Sequence, residues 1–351
     1  MERFMVKQTM ILFKTFFSMQ NIYLKITLFC IVIFIGFQPM VAQDVHLTSF
    51  NYSPLLVNPA NTGNFYGNWR AALNYRNQWA GTGSAYSTAI ASGDKLFNLR
   101  GQKIGAGVMF INDQTNNGIQ RNMLLASGSY FYEYADNHFS GGLQTGIVFL
   151  SPANPNWGLY NPERDDHSNP NNETTPVDKQ NYVDVNLGFM WWRSIGIFEP
   201  QAGIAFAHIN APNQSLNGGT DKIPITSKLH GSLKTKLNDE IYITPTLLVA
   251  NNNKSTLTVF GVNGGYRLLG NRSSVKEVYG GLYLRNGIAS EINDVALMLG
   301  TTVGRLDIVL SYDLNMTSMS QSKNLSSFEI SLVYKSLSTI LNSYSIPCER
   351  F

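Results

Sequence analysis

Between residues 69 and 79 the chain reads WRAALNYRNQW, and polar and apolar positions alternate along it. Trp69, Ala71, Leu73, Tyr75 and Trp79 fall on one face, with Asn77 as the exception, while Arg70, Asn74, Arg76 and Gln78 fall on the other. A period of two predicts a β-strand with one oily and one wet face. At about 3.3 Å of rise per residue and a tilt of about 40°, the two tryptophans stand roughly 25 Å apart along a membrane normal. That is close to the height of the apolar band of an outer-membrane barrel, and Trp favours both of its water boundaries. A half-buried strand of a soluble sandwich alternates in the same way, so this stretch alone leaves both architectures open.

The pattern returns in IGAGVMF (104–110), FSGGLQTGIVF (139–149), VDVNLGFMWW (183–192) and FEISLVY (328–334). In the third, Val183, Val185, Leu187, Phe189 and Trp191 face one way and the charged Asp184 the other, which marks the second face as wet. About fourteen such segments run from 66–79 to 326–335, among them 84–93 and 102–111. The third, fifth and seventh are followed by long polar stretches, including 112–121 and the run 151–181, and the fourth, sixth and eighth by short ones. Alternation of long and short ends belongs to bacterial barrels, with long loops outside and short turns in the periplasm. The expected architecture is all-β: a single antiparallel transmembrane β-barrel of about 14 strands over residues 66–351, both chain ends periplasmic because the strand number is even. A turn-rich lead-in, 43–65, precedes it, with two placements open to it, the lumen or the periplasmic rim.

The N-terminus adds an export signal. Lys7, Lys14 and Lys25 precede or flank a short apolar run at 26–36, and MVAQD offers a cut after Ala42, so residues 1–42 are expected to be a cleaved signal peptide. A start at Met19 gives the same mature chain. Phe29 before Cys30 disfavours a lipoprotein signal, and the apolar run is shorter than the roughly 20 residues of a membrane helix. Cleavage leaves Cys348 as the single cysteine, which excludes a disulfide framework.

Composition agrees with a surface that meets lipid: charged residues are 14% of the chain, against about 25% for a soluble domain. A net charge of +3 does not suggest a nucleic-acid partner. The five histidines, at 46, 138, 167, 208 and 230, are not paired at metal-ligand spacing, and no nucleophile elbow, phosphate loop or HExxH follows the leader. No catalytic residue, cofactor or metal is therefore assigned, and an enzyme is not expected. In ERDDHSNPNNE (163–173), Asp165, Asp166 and Glu173 offer oxygen ligands to Ca²⁺, but a solvated loop is the plainer reading.

Arg70, Arg76, Asp184 and Glu329 are expected to face the lumen, because a charge in lipid near the midplane costs roughly 2 to 4 kcal/mol. Both signs together favour an ion-pair network that closes the lumen over an open pore. Tyr75, Arg76, Asn77, Gln78 and Trp79 read either as an aromatic rim or as a docking surface for a partner, with rim structure the simpler reading.

These residues also resemble a known family, the PorP/SprF outer-membrane proteins of the type IX secretion system of Bacteroidetes. The lead-in carries Asn58, Pro59, Ala60 and Gly63 of SPLLVNPANTG, and the opening stretch the Tyr75 to Trp79 motif. HINAPNQSL follows with His208, Pro212, Asn213 and Ser215, GLYLRNG with Gly281, Tyr283 and Arg285, and SYDLNMTSM with Tyr312, Asp313 and Asn315. FEISLVY and the terminal IPCERF complete a set that keeps its order from residue 54 to 351; Thr317, Met319 and Glu349 depart from the pattern, and the segment around 288–293 is long. The resemblance implies a non-catalytic barrel of the outer membrane that supports protein export or gliding motility. Its implied partners are outer-membrane lipid, type IX secretion components and a secreted surface protein, contacted through that protein's C-terminal domain. The candidate rim or partner-contact residues are then Tyr75 to Trp79, His208, Pro212, Asn213, Tyr312, Asp313 and Asn315. A passive channel for small or apolar solutes is the alternative.

Overall fold

A computed structural model of the chain describes residues 44–79, 86–115, 118–152, 179–216, 219–252, 255–268, 274–286, 294–316 and 326–337. The expected signal peptide, the candidate Ca²⁺ loop at 163–173, most of the run 151–181, the long segment at 288–293, the departures at Thr317, Met319 and Glu349, and the terminal IPCERF lie outside them.

Fourteen strands form in sequence order. They are β1 (Trp69–Gln78), β2 (Tyr86–Leu99), β3 (Gln102–Thr115), β4 (Ile119–Tyr134), β5 (Asn137–Pro152), β6 (Gln180–Arg193), β7 (Phe198–Ala207), β8 (Thr226–Lys236), β9 (Ile241–Asn251), β10 (Thr256–Arg267), β11 (Val275–Asn286), β12 (Asp294–Val303), β13 (Leu306–Asn315) and β14 (Ser327–Lys335). Each pairs antiparallel with its neighbours, and β1 pairs with β14 to close the barrel. Closure leaves no free sheet edge, as lipid requires, and where β6 runs past its pairing with β7, Ile209 and Asn210 bond its backbone at Val183 and Val185. Among the described residues, no helix is long and apolar enough to cross a membrane.

The period of two sorts side chains between two solvents. Along β1, Trp69, Leu73 and Tyr75 are exposed on the outside while Arg70, Ala72, Asn74 and Arg76 are buried within. The same outward set recurs around the barrel as Val108, Leu124, Leu143, Val183, Leu282 and Leu299, the last 72% exposed. An apolar exterior over a polar interior is the inverse of a soluble domain and fits a lipid-facing wall. Aromatic rings mark the boundaries: Trp69 packs on Tyr334 at 5.1 Å between ring centroids at the short-turn end, and Trp79 meets Tyr86 edge-on at 5.2 Å at the other.

Two expectations change. β2 runs to Leu99 rather than ending at 93, and β3 and β4 extend through most of the polar stretch 112–121, leaving a short connection there. The reason is that polar side chains in this region pair across the strands: Thr88 donates to Asp113 at 2.6 Å and Asn112 to Asn122 at 2.6 Å, so a polar stretch continues the ladder instead of leaving it.

The second change concerns the start of the chain. An even strand number fixes the first and last strands at one end, but the segment before β1 runs through the lumen. Residue 44 lies beside the loop-end residues His208 and Thr226, and Phe65 lies at the short-turn end, its ring beneath Arg70. The described chain therefore enters at the long-loop end and descends to β1, so residue 44 and the start of β1 lie at opposite ends of the barrel.

Candidate functional site

Residues 44–65 run through the lumen as a strap of short turns. A 3₁₀ turn at Phe50–Tyr52, a four-residue helix at Pro54–Val57 and a second 3₁₀ turn at Pro59–Asn61 follow one another. Prolines at 54 and 59 open the last two, where their missing N–H groups leave no partner unmet. Such short turns cannot satisfy their own backbone, and the barrel wall supplies the partners.

Near the long-loop end, Glu329 accepts the backbone N–H of Thr48 at 2.7 Å and of Ser49 at 3.0 Å. Arg76 pairs with Glu329 and with Asp313, the latter at 3.0 Å, and also donates to Thr48 Oγ1 at 2.9 Å. Thr48 Oγ1 in turn donates to Asp313 at 2.8 Å. Arg285 joins the group, bonding Asp294 through Nε at 2.9 Å and Nη2 at 2.7 Å and reaching Asp313 at 3.2 Å. Arg76, Asp313 and Glu329 are almost completely buried. Two guanidinium groups and three carboxylates, each bonded more than once, offset the cost of one another's burial. His46, also on the strap, places its Nδ1 3.1 Å from the Asp44 carbonyl.

At the top of the strap His208 bridges two carboxylates, with Nδ1 2.7 Å from Asp184 and Nε2 3.3 Å from Asp44. Asp44 also accepts from Thr226 at 2.8 Å. Burial works against charge on this imidazole, but the hydrogen bonds to Asp184 and Asp44 outweigh it and raise His208 to about 9. His208 has left β7 with φ +58° and donates its own N–H to Asn186 Oδ1 at 2.9 Å, so the backbone turns inward where the side chain is needed.

Towards the other end, Asn58 caps the Pro59–Asn61 turn by accepting from the Ala60 N–H at 2.9 Å. Its amide donates to the carbonyls of Phe189 and Ile204 and lies 2.9 Å from His230 Nε2. The wall is hollowed to admit this turn. A Cβ at Gly188 would collide with Asn58 Oδ1, and one at Gly142 with the backbone of Pro59 and Ala60. Below, Asp94 accepts the Gly63 N–H at 2.7 Å and holds Arg70 in a two-point pair at 2.9 and 2.7 Å. Asn74, Gln144, Ser140 and Lys228 each donate to a strap carbonyl.

Of the residues singled out from sequence, Arg70, Arg76, Asp184 and Glu329 are all buried inside, and each binds the strap or a residue that does. The motif residues divide across the wall. Tyr75 and Tyr312 point outward, 41% and 43% exposed, while Arg76, Asp313 and His208 bind the strap. Asn315 donates to Asp294 at 2.8 Å within the same network. Arg76 and Asp313 are buried, which takes them out of an exposed rim, while His208 is half-buried and bridges to the strap through Asp44. Asn77 and Gln78 are half-buried near the loop end, and Trp79 donates its N–H to the Ser326 carbonyl at 3.0 Å. Asn213 organises its own loop, accepting from Ser215 and Asp221, and the Pro212 carbonyl accepts from Ile223.

Asp44, Thr48, Ser49, Asp94 and Asp294 were not singled out. The even spacing of Asp94 and Asp294 with other inward positions was the available signal, whereas nothing periodic marks 44–49. Among the described residues, no group of three or more His, Cys, Asp or Glu is placed to hold a metal ion.

Comparison with known proteins places this geometry. No curated protein sequence matches the chain. Among solved structures, the toluene transporter TbuX of Ralstonia pickettii overlays with a TM-score of 0.47 and 10% identity, covering 86% of this chain and 97% of that one. The toluene transporter TodX of Pseudomonas putida gives 0.46 and 11%, covering 80% and 92%, and Salmonella typhi OmpF in complex with daunomycin 0.37 and 10%, covering 76% and 98%. These overlaps are too loose to carry anything about this chain. The family model described as type IX secretion system membrane protein PorP/SprF, by contrast, matches residues 40–334, the strap and nearly the whole barrel. The order of motifs, the closed fourteen-strand wall and this match agree: an outer-membrane barrel, the chain belongs to the PorP/SprF family of the type IX secretion system.

Proposed function

We propose that this barrel supports the export or surface anchoring of partner proteins by binding them, without catalysis and without conducting solutes. The observation that supports the reading is the strap. Residues 44–65 hydrogen-bond to β1, β2, β4 to β8, β11, β13 and β14, so the lumen is occupied from within by the chain itself. A barrel held in this way works through its rim, its loops and its periplasmic mouth. Its partners are type IX secretion components and a secreted surface protein engaged through its C-terminal domain, in a bacterium of the Bacteroidetes, with gliding motility among the processes served. A passive channel would need the strap to leave and its buried charges to lose their partners.

The experiment is a quantitative comparison of surface-bound and medium proteins between a deletion strain and its parent. Loss of a few large proteins from the surface, with small-solute uptake unchanged, is the expected result and identifies the cargo. Matching proteomes with slowed uptake of a solute would replace this reading by the channel.

A further inference from the structure

Beside the strap, on the side of β7 to β14, the barrel keeps an open chamber of about 490 Å³. Tyr66, Arg305, Ser336 and Leu337, all at the short-turn end, line its mouth, and Phe50 and Asn51 of the strap line its inner side. In a barrel whose long loops face outward, this chamber faces the periplasm.

The chemistry of the walls is selective. Lys234, Arg267, Arg305 and Lys335 line the chamber with two carboxylates, Glu277 and Asp307, an excess of positive charge. Glu277 is engaged by Arg267 at 3.8 Å and by the Tyr242 hydroxyl, and Asp307 by Lys335 at 2.9 Å. Lys234 stands 4.2 Å over the Tyr242 ring, and Tyr52 stacks on Tyr279 at 6.1 Å, giving an aromatic floor beneath the cations. Amides of Asn51, Asn64 and Gln201 add paired donors and acceptors of the kind a peptide backbone uses.

Size separates the classes of occupant. At about 30 Å³ per water, the chamber is far larger than a single inorganic anion needs and lies within the range of about 300 to 1,000 Å³ in which clefts enclose sizeable ligands. Enclosure by low-dielectric walls strengthens the attraction of a mainly cationic lining for an acidic group. We propose that this chamber binds a short acidic, aromatic-containing peptide segment presented from the periplasm. The site goes beyond the export role and does not depend on it.

The test uses the full chain in detergent micelles and three fluorescent eight-residue peptides that alternate Tyr with Glu, Gln or Lys. Anisotropy should report binding of the Glu peptide, at least tenfold weaker binding of the Gln peptide and none of the Lys peptide, with the preference falling at high salt. K234E/R267E should weaken the Glu peptide at least tenfold while keeping the heat-dependent gel mobility of a folded barrel. R305Q, on an exposed turn, is the second variant should the first fail to fold, and should weaken it severalfold. Equal binding of all three peptides, undiminished binding by the folded variants, or displacement by free glutamate at the peptide's own concentration would overturn the proposal. None of these readouts needs secretion, so their failure leaves the export reading standing.

Discussion

Arg76 and Glu329 stand directly opposite each other in the register of β1 and β14, the pair of strands that closes the barrel, and both hold Thr48. Closure of the wall and docking of the strap therefore share the same two side chains. The segment that fills the lumen lies just before the first strand, and the residue that receives it lies on the last.

Removing one member of this group leaves the others buried without a partner. E329A is expected to destabilise the folded barrel by about 3 to 5 kcal/mol, as breaking a buried pair does, and E329Q by less, since the amide oxygen still accepts one of the two N–H groups of Thr48 and Ser49. Urea unfolding of the barrel in lipid vesicles checks the order: wild type above E329Q above E329A.

The bridge from His208 to Asp44 and Asp184 makes the top of the strap pH-dependent. Because His208 is raised from 6.5 to about 9, its contribution is complete below about pH 6.5 and is lost as pH rises through about 9. Lys228 faces the same carboxylates from β8 and keeps part of the attraction when the imidazole is neutral. Hydrogen-exchange protection at 44–49, corrected for intrinsic rates, should fall between pH 6.5 and 9 in the wild type and stay level in H208Q. A level profile in both would remove the bridge from the description of the latch.

The hollow at Gly188 admits Asn58 and nothing larger than hydrogen. G188V should displace the Asn58 cap and lower stability by about 1 to 3 kcal/mol, the usual range for overpacking. G141V is the control: Gly141 is on the outward parity of β5, and a side chain there would meet only the Phe189 ring at 3.6 Å. Equal losses in the two variants would show that the effect is generic to the strands and not a matter of the strap.

The path of the strap fixes where the preceding residues emerge. An epitope inserted between Gln43 and Asp44 should bind antibody on intact cells, because residue 44 lies beside His208 and Thr226 at the long-loop end. Binding only after the outer membrane is disrupted would contradict the direction of threading.

The strands were legible because lipid and lumen impose opposite demands on alternate residues, and Val183 beside Asp184 is enough to show it. The polar tops of β3 and β4 were not, since Asn112 reads as loop until it is seen to pair with Asn122 across the ladder. The inward direction of Arg76 and Glu329 followed from the cost of charge in lipid. Their common purpose did not, because Thr48 is 28 residues from one and 281 from the other, and the 44–65 segment carries no period. What the sequence held instead was a set of ordered motifs, and the structure gathers Asn58, Arg76, His208, Arg285, Asp313 and Glu329 from them around one strap.

Planar-bilayer recording of the intact barrel asks most directly whether the strap closes the lumen and leaves binding as the barrel's work. The wild-type chain should insert and remain electrically silent, with currents appearing in E329A as the strap loosens. Steady currents from the wild type, unchanged in E329A, would contradict a closed lumen and favour a channel.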